Sequence, residues 1–228
     1  MKCGKTAAFI AALLLCLTLL RPGAAALEKE RHTLIIDAGH GGEDGGAQSA
    51  AGVSESEINL EIALRMEALA RFCGVPTKMT RTTSELDYPA ELGKIAQRKL
   101  WDQKQRAALI NSTPDAVLIS IHQNKYPDPR PRGPQVLYAE GEQSKGLGEL
   151  AHTLLSQCLW PENRRVAAPI SKEIYLLRVA ECPAILAECG FLSNEAEAAL
   201  LVQPEYQTKI ATLLLCAYLQ YFEAEEGS

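Results

Sequence analysis

The run Ala116-Val117-Leu118-Ile119-Ser120-Ile121-His122 constrains the fold more than any other stretch of the chain. It is nearly continuous in apolar, largely β-branched side chains, so it has no face to offer to water. Such a run reads as a strand buried on both sides, which requires helices above and below a parallel sheet. The rest of the chain supplies alternating strand and helix signals. Thr33–Asp37 predicts a first strand. Ser54-Glu55-Ser56-Glu57 has the spacing of a capping box and opens a helix with Ile58, Ile62, Met66, Leu69 and Phe72 on one side, stopped by Gly74. Val75–Arg81 predicts a second strand and Glu91–Asn111 a long helix broken by Thr113-Pro114-Asp115. After the proline-rich loop Asn124–Gly133 come a short strand near an edge, Gln135–Ala139, and a helix, Lys145–Trp160. Two further strands are expected at Ile174–Arg178 and Ala184–Cys189, and a last helix from Pro204 to about Glu223. The expectation is one α/β domain over residues 31–224, a mostly parallel twisted sheet with helices on both faces.

The amino terminus is different in kind. Met1–Ala26 has a positive start at Lys2 and Lys5, an apolar run from Ala7 to Leu20, and small residues at Ala24 and Ala26, the layout of a secretory signal peptide. The apolar run is short for a membrane span, and an uncleaved anchor is the alternative. Cleavage after Ala26 lowers Lys+Arg from 23 to 20 and leaves Asp+Glu at 28, a net charge of −8. A domain that acidic is a poor nucleic-acid binder. Five of the seven cysteines lie beyond the signal; the number is odd, the spacings are wide and no C-x-x-C occurs. Neither a disulfide framework nor a zinc ribbon is indicated, and most of these cysteines read as free core thiols.

Four residues carry chemistry. His40 follows the apolar run Leu34-Ile35-Ile36 and is set among Gly39, Gly41, Gly42, Gly45 and Gly46, where the backbone can take φ > 0 and a ligand can come close. Glu55 opens the first helix, His122 closes the most buried strand, and Glu188 lies near the end of Ala184–Cys189. Three of them, His40, His122 and Glu188, fall at carboxyl ends of strands, where open α/β sheets place their sites. Two imidazoles and a carboxylate make a three-ligand zinc site with a fourth position for water, and a separate carboxylate beside that water is a general base. Plainer readings exist. Glu55 suits a helix amino terminus by charge alone, and His122 suits a core with satisfied nitrogens. Glu188, flanked by Leu186, Ala187 and Cys189, is harder to set aside, because a buried carboxylate without a partner is costly. Cys189 points to the opposite face from Glu188; His32 and His152 read as ordinary. Gly39-His40-Gly41 starts like a dinucleotide fingerprint, but Asp44 stands where the third glycine belongs. No P-loop and no G-x-S-x-G occurs.

Taken together, Asp37-Ala38-Gly39-His40-Gly41-Gly42, Glu55-Ser56-Glu57-Ile58-Asn59-Leu60, Ser120-Ile121-His122-Gln123-Asn124 and Ala187-Glu188-Cys189-Gly190-Phe191-Leu192-Ser193-Asn194 resemble the zinc-dependent N-acetylmuramoyl-L-alanine amidases of the Amidase_3 type, in order and spacing. Met79-Thr80-Arg81-Thr82 looks like another block of that family. The resemblance covers about residues 33 to 222. It implies one zinc ion per chain on His40, Glu55 and His122, with Glu188 as catalytic acid/base. It implies as substrate the amide between N-acetylmuramic acid and L-alanine, on peptidoglycan glycan strands and stem peptides. An activating partner protein and the oligomeric state stay open.

The short stretch after His122 leaves no room for the occluding helix found in some relatives, and no wall-binding repeat is expected. The compact layout looks most like the sporulation-specific amidases that prepare muramic δ-lactam in spore cortex. That resemblance implies export to the cell wall, the periplasm or the intermembrane space of the forespore. Lys125, Arg130 and Arg132 cluster after His122 and are expected to attract stem-peptide carboxylates. The competing reading is a non-catalytic peptidoglycan-binding module of the same fold.

Overall fold

The structure, a computed structural model, describes residues 32–225. The expected signal, Met1–Ala26, lies outside the described residues. Six strands form one sheet: β1 Thr33–Ala38, β2 Thr77–Met79, β3 Ala116–Asn124, β4 Gln135–Tyr138, β5 Ala168–Pro169 and β6 Ala184–Phe191. Among the described residues six helices accompany them: α1 Glu55–Phe72, α2 Ile95–Asn111, α3 Glu142–Leu159, α4 Tyr175–Val179, α5 Glu195–Leu201 and α6 Pro204–Glu225. The sheet order is β2-β1-β3-β6-β4-β5. All pairs are parallel except β4 with β6. The architecture is the single α/β domain that the apolar runs imply. Among the described residues no helix is long and apolar enough to cross a membrane.

Strand alternation decides which side chains meet which helices. Leu34, Ile36, Val117, Ile119, Ile121, Ile185, Ala187 and Cys189 share one face, packed against α1, α3 and α6. Ile35, Leu118, Ala184 and Leu186 share the other, against α2 and α4. By the same alternation Asp37, Ser120, His122 and Glu188 belong to the α2/α4 face, and the register sets Asp37 beside Ser120 and His122 beside Glu188. The four polar residues therefore gather at the carboxyl ends of the three central strands.

Several boundaries differ from the sequence reading. Ile174–Arg178 is not a strand; the chain there forms α4, which buries the consecutive residues Leu176 and Leu177. Two adjacent buried side chains suit a helical turn, whereas a strand would send them to opposite faces. The second strand shrinks to Thr77–Met79, because past Met79 the chain turns Thr80 and Arg81 toward the end of β1. β5 and α5 carry too few residues to show a period. Ser54 does stand at the N-cap of α1, but its hydroxyl meets Ser56 Oγ at 2.9 Å and makes no cap bond. The carbonyls of Ala47 and Gly45 accept from Glu55 N and Ser56 N instead, at 2.8 and 3.1 Å. That choice ties the glycine-rich loop to the start of α1. All five described cysteines are free; Cys189 is buried as expected, but Cys73 and Cys158 are exposed at helix ends and do not belong to the core.

Candidate active site

The glycine-rich turn after β1 delivers the first imidazole. His40 takes φ 60°, followed by Gly41 at 135° and Gly42 at 56°. Histidine is among the residues that tolerate the left-handed region, and holding it there is a small strain that neighbouring contacts must supply. They do so through two arginines. Arg81 donates to the carbonyls of Ala38, Gly39 and Ser56 at 2.9, 3.0 and 2.8 Å. Arg106 donates to those of Ala38 and His40 at 2.7 and 2.6 Å. Gly39 is needed for space, since a Cβ there would overlap the His122 ring.

Glu55 joins the two histidines. Its Oε1 lies 2.9 Å from His122 Nδ1 and 3.3 Å from His40 Nε2. Gln123 N donates to the same oxygen at 3.1 Å, and Ala47 N donates to Oε2 at 2.9 Å. Burial opposes ionisation of Glu55, but His122 and His40 together hold it well below the usual carboxylate range. Burial likewise opposes the charged form of His40, yet Asp44 and Glu55 raise it to about 9. One ligand atom from each of His40, Glu55 and His122 falls within 4.8 Å of the others. Two imidazoles and a carboxylate held ionised are a donor set suited to zinc.

Glu188 sits beside this triad, not in it. Its Oε2 is buried and has no hydrogen-bond partner. Burial pushes the carboxyl up to about 7, with Glu55 adding to the rise and His122 and His40 pulling against it. A carboxyl near neutrality can both take and give a proton. His40, His122 and Glu188 border a groove of about 230 Å³, walled by Lys99, Asp102, Gln103 and Arg106 from α2 and by Tyr175, Leu176 and Leu177 from α4, with Glu55 buried behind it.

The structure thus brings His40, Glu55, His122 and Glu188 together. It does not bring the three loop cations to the groove. None of Lys125, Arg130 and Arg132 is among the residues that line it. Lys125 is exposed, Arg130 pairs with Asp128 at 2.6 Å, and Arg132 stacks on the Trp160 ring, 3.3 Å from its centroid. Sequence reasoning missed Asp44, which bonds His40, and Lys99, which bonds Asp44. A carboxylate four residues after a candidate ligand was the available signal for Asp44. It also missed Asn59, whose amide reaches Gly39 O at 3.1 Å one helical turn after Glu55.

Comparison with known proteins agrees with this geometry. The family model described as N-acetylmuramoyl-L-alanine amidase, Amidase_3, matches residues 34–217. The chain is 34% identical over 195 residues to a germination-specific N-acetylmuramoyl-L-alanine amidase of Bacillus subtilis, covering 85% of this chain and 81% of that protein. It is 25% identical to the amidase LytC of the same organism over 83% of this chain, but spans only 35% of LytC. Among solved structures it is similar to the CwlD amidase of Clostridioides difficile, determined in complex with the GerS lipoprotein. The TM-score there is 0.81 at 34% identity, covering 85% of this chain and 100% of that one.

Proposed function

This chain belongs to the N-acetylmuramoyl-L-alanine amidase family, Amidase_3, and from that premise we propose that His40, Glu55 and His122 hold one zinc ion while Glu188 moves the proton. The activity is that of a peptidoglycan amidase, hydrolysis of the bond between N-acetylmuramic acid and L-alanine. One observation carries the mechanistic reading. A three-donor cluster with the composition of a zinc site lies against a buried carboxylate that no protein group satisfies. A wall-binding module has no use for that second carboxylate.

When bound, zinc supplies polarisation of the scissile carbonyl and a lowered pKa for the attacking water, to about 7. The remaining work falls to the chain. Glu55 is held ionised between the two imidazoles and fixed from behind by Ala47 N and Gln123 N, so the cluster keeps its geometry without rearrangement. Glu188 takes the proton from the attacking water and passes it to the departing L-alanine nitrogen, which is a poor leaving group unless protonated. The walls from α2 and α4 hold the glycan–peptide junction beside it. Single changes of His40, Glu55 or His122 to Ala are expected to remove tightly bound zinc and activity together, as read by metal analysis of the purified protein before and after chelation. Full zinc occupancy in His122→Ala would show the ligand set to be wrong.

The relatives also support a setting. Action on peptidoglycan implies a site of work outside the cytoplasmic membrane, with Met1–Ala26 as the export signal and residues 31–224 as the catalytic domain. The similarity to a germination-specific amidase favours a role in spore cortex, where release of the stem peptide precedes muramic δ-lactam formation. Unchanged δ-lactam in the cortex of a deletion strain would remove that part. A partner protein belongs to the same reading, because the CwlD relative was solved with a lipoprotein.

For the loop, neutralising Lys125, Arg130 and Arg132 together is expected to raise KM modestly, with the effect fading as salt screens exposed charges. Arg130 already has an acid beside it, which limits the gain. An unchanged KM at low ionic strength would mean that the three take no part in binding the stem peptide.

A further inference from the structure

We propose that Asp44 is the positioning residue of His40, fixing the tautomer and heading of that ring so that Nε2 is the nitrogen offered to the metal. The inference rests on the zinc reading above and goes beyond its four residues. Asp44 Oδ2 lies 2.9 Å from His40 Nδ1, while His40 Nε2 lies 3.3 Å from Glu55 Oε1. A neutral imidazole carries one proton. Carboxylates face both nitrogens, Asp44 at Nδ1 and Glu55 at Nε2; when Nε2 and Glu55 share a cation the ring is neutral, its proton lies on Nδ1 toward Asp44, and the lone pair is left on Nε2, facing the donor cluster.

Asp44 is itself held in place. A short turn closes through Gly41 N to Asp44 O at 2.9 Å and Asp44 N to Gly41 O at 3.1 Å. Lys99 Nζ reaches Asp44 Oδ2 at 2.9 Å from α2, and Gly46 N donates to Oδ1 at 3.3 Å. Lys99 thereby keeps the carboxylate turned to the back of the ring and away from the metal position. The two histidines differ in this respect. His122 turns its Nδ1 to Glu55, and its other nitrogen lies over Gly39; its ring is fixed by packing. His40 stands on a turn in the left-handed region, and its bond to Asp44 sets its rotation.

The test is zinc affinity of the purified chain by chelator competition, in Asp44→Ala, Asp44→Asn and, as reference, His40→Ala. Asp44→Ala is expected to weaken zinc binding about 10–100-fold, the usual cost of losing such a support. Asp44→Asn, whose amide oxygen accepts the same N–H, should lie between Ala and the wild type. Imidazole ¹H–¹⁵N spectra of the zinc form should show His40 protonated at Nδ1 in the wild type, and that tautomer should lose its dominance in Asp44→Ala. A merely structural aspartate would not move that signal. Wild-type affinity and tautomer in Asp44→Ala, with zinc lost in His40→Ala, would overturn the proposal and leave the zinc site standing. Wild-type affinity in His40→Ala would overturn the zinc reading first, and this inference with it. Should Asp44→Ala fail to fold, the affinity and spectrum of Asp44→Asn decide by the same criteria.

Discussion

Glu188→Gln is expected to lower kcat by about 10²–10⁴-fold, the usual contribution of a general acid/base, with zinc content and KM for purified peptidoglycan nearly unchanged. The reason lies in where β6 ends. Register places Glu188 beside His122, so the carboxyl borders the candidate donor cluster, yet it contributes no atom to that triad. Its Oε2 is buried without a partner, and Leu176, Leu177 and Leu186 line the same groove. Burial raises its pKa to about 7, which suits a group that must first accept a proton and then return it. Glutamine keeps the shape and the buried volume but cannot relay a proton, so the loss falls on an interaction made during the reaction and not on binding. The measurement is release of free amino-terminal L-alanine from peptidoglycan, with metal analysis of the same preparation. Loss of zinc in Glu188→Gln would make Glu188 a ligand and send the search elsewhere for the acid. Turnover near the wild-type rate would leave the groove without a proton carrier.

How far the sequence could be read depends on the kind of information each residue carries. β1, β3 and β6 were legible because their apolar side chains have no water-facing alternative, and a strand buried on both faces admits few architectures. His40, Glu55, His122 and Glu188 were individually ambiguous. Position at strand ends brought three of them to one rim, and the resemblance of the surrounding blocks supplied the fourth. Ile174–Arg178 was misread because five residues hold too little period to separate a turn of helix from a strand, and Leu176 and Leu177 settle the matter only once their common burial is seen. Asp37 marks another limit. A charge after Leu34-Ile35-Ile36 reads as the end of a buried strand, yet β1 continues through Ala38 and Asp37 is only 1% exposed. Its partner is Arg106, 69 residues away in sequence. Lys99 was invisible for the same reason, since its role is a contact across the fold; Asp44 left only the local signal of an acid four residues after His40.

Removing that hidden partner should cost more stability than any other single change near the site. Arg106 Nη1 donates to Asp37 Oδ1 at 2.8 Å, and both side chains are almost wholly buried. Thr80 and Ser120 complete the shell of Asp37 at 2.7 and 2.5 Å. Burial works against ionisation of Asp37, but Arg106, Ser120, His122 and Thr80 together hold its carboxyl below the ordinary range. Arg106→Met leaves that charge buried and uncompensated, which costs about 3–5 kcal/mol, or a fall in Tm of roughly 6–20 °C for a domain of this size. The carbonyls of Ala38 and His40 lose a donor as well, so the turn that carries His40 loosens with the core. Adding Asp37→Asn to Arg106→Met should recover part of the loss, because the uncompensated charge is gone. The pH dependence gives the sign. In the wild type the depressed carboxyl contributes stability in full above its unfolded value of about 3.9, and that contribution is lost as pH falls through the lower folded value. In Arg106→Met desolvation is no longer outweighed, so the folded value rises and protonation relieves the buried charge. The stability gap between wild type and variant should therefore be widest at neutral pH and narrow toward pH 4, when unfolding is followed in urea with the metal chelated so that its binding does not enter. A gap that stays constant over this range would mean that Asp37 keeps its charge compensated without Arg106, and that the arginine serves only the backbone of the turn.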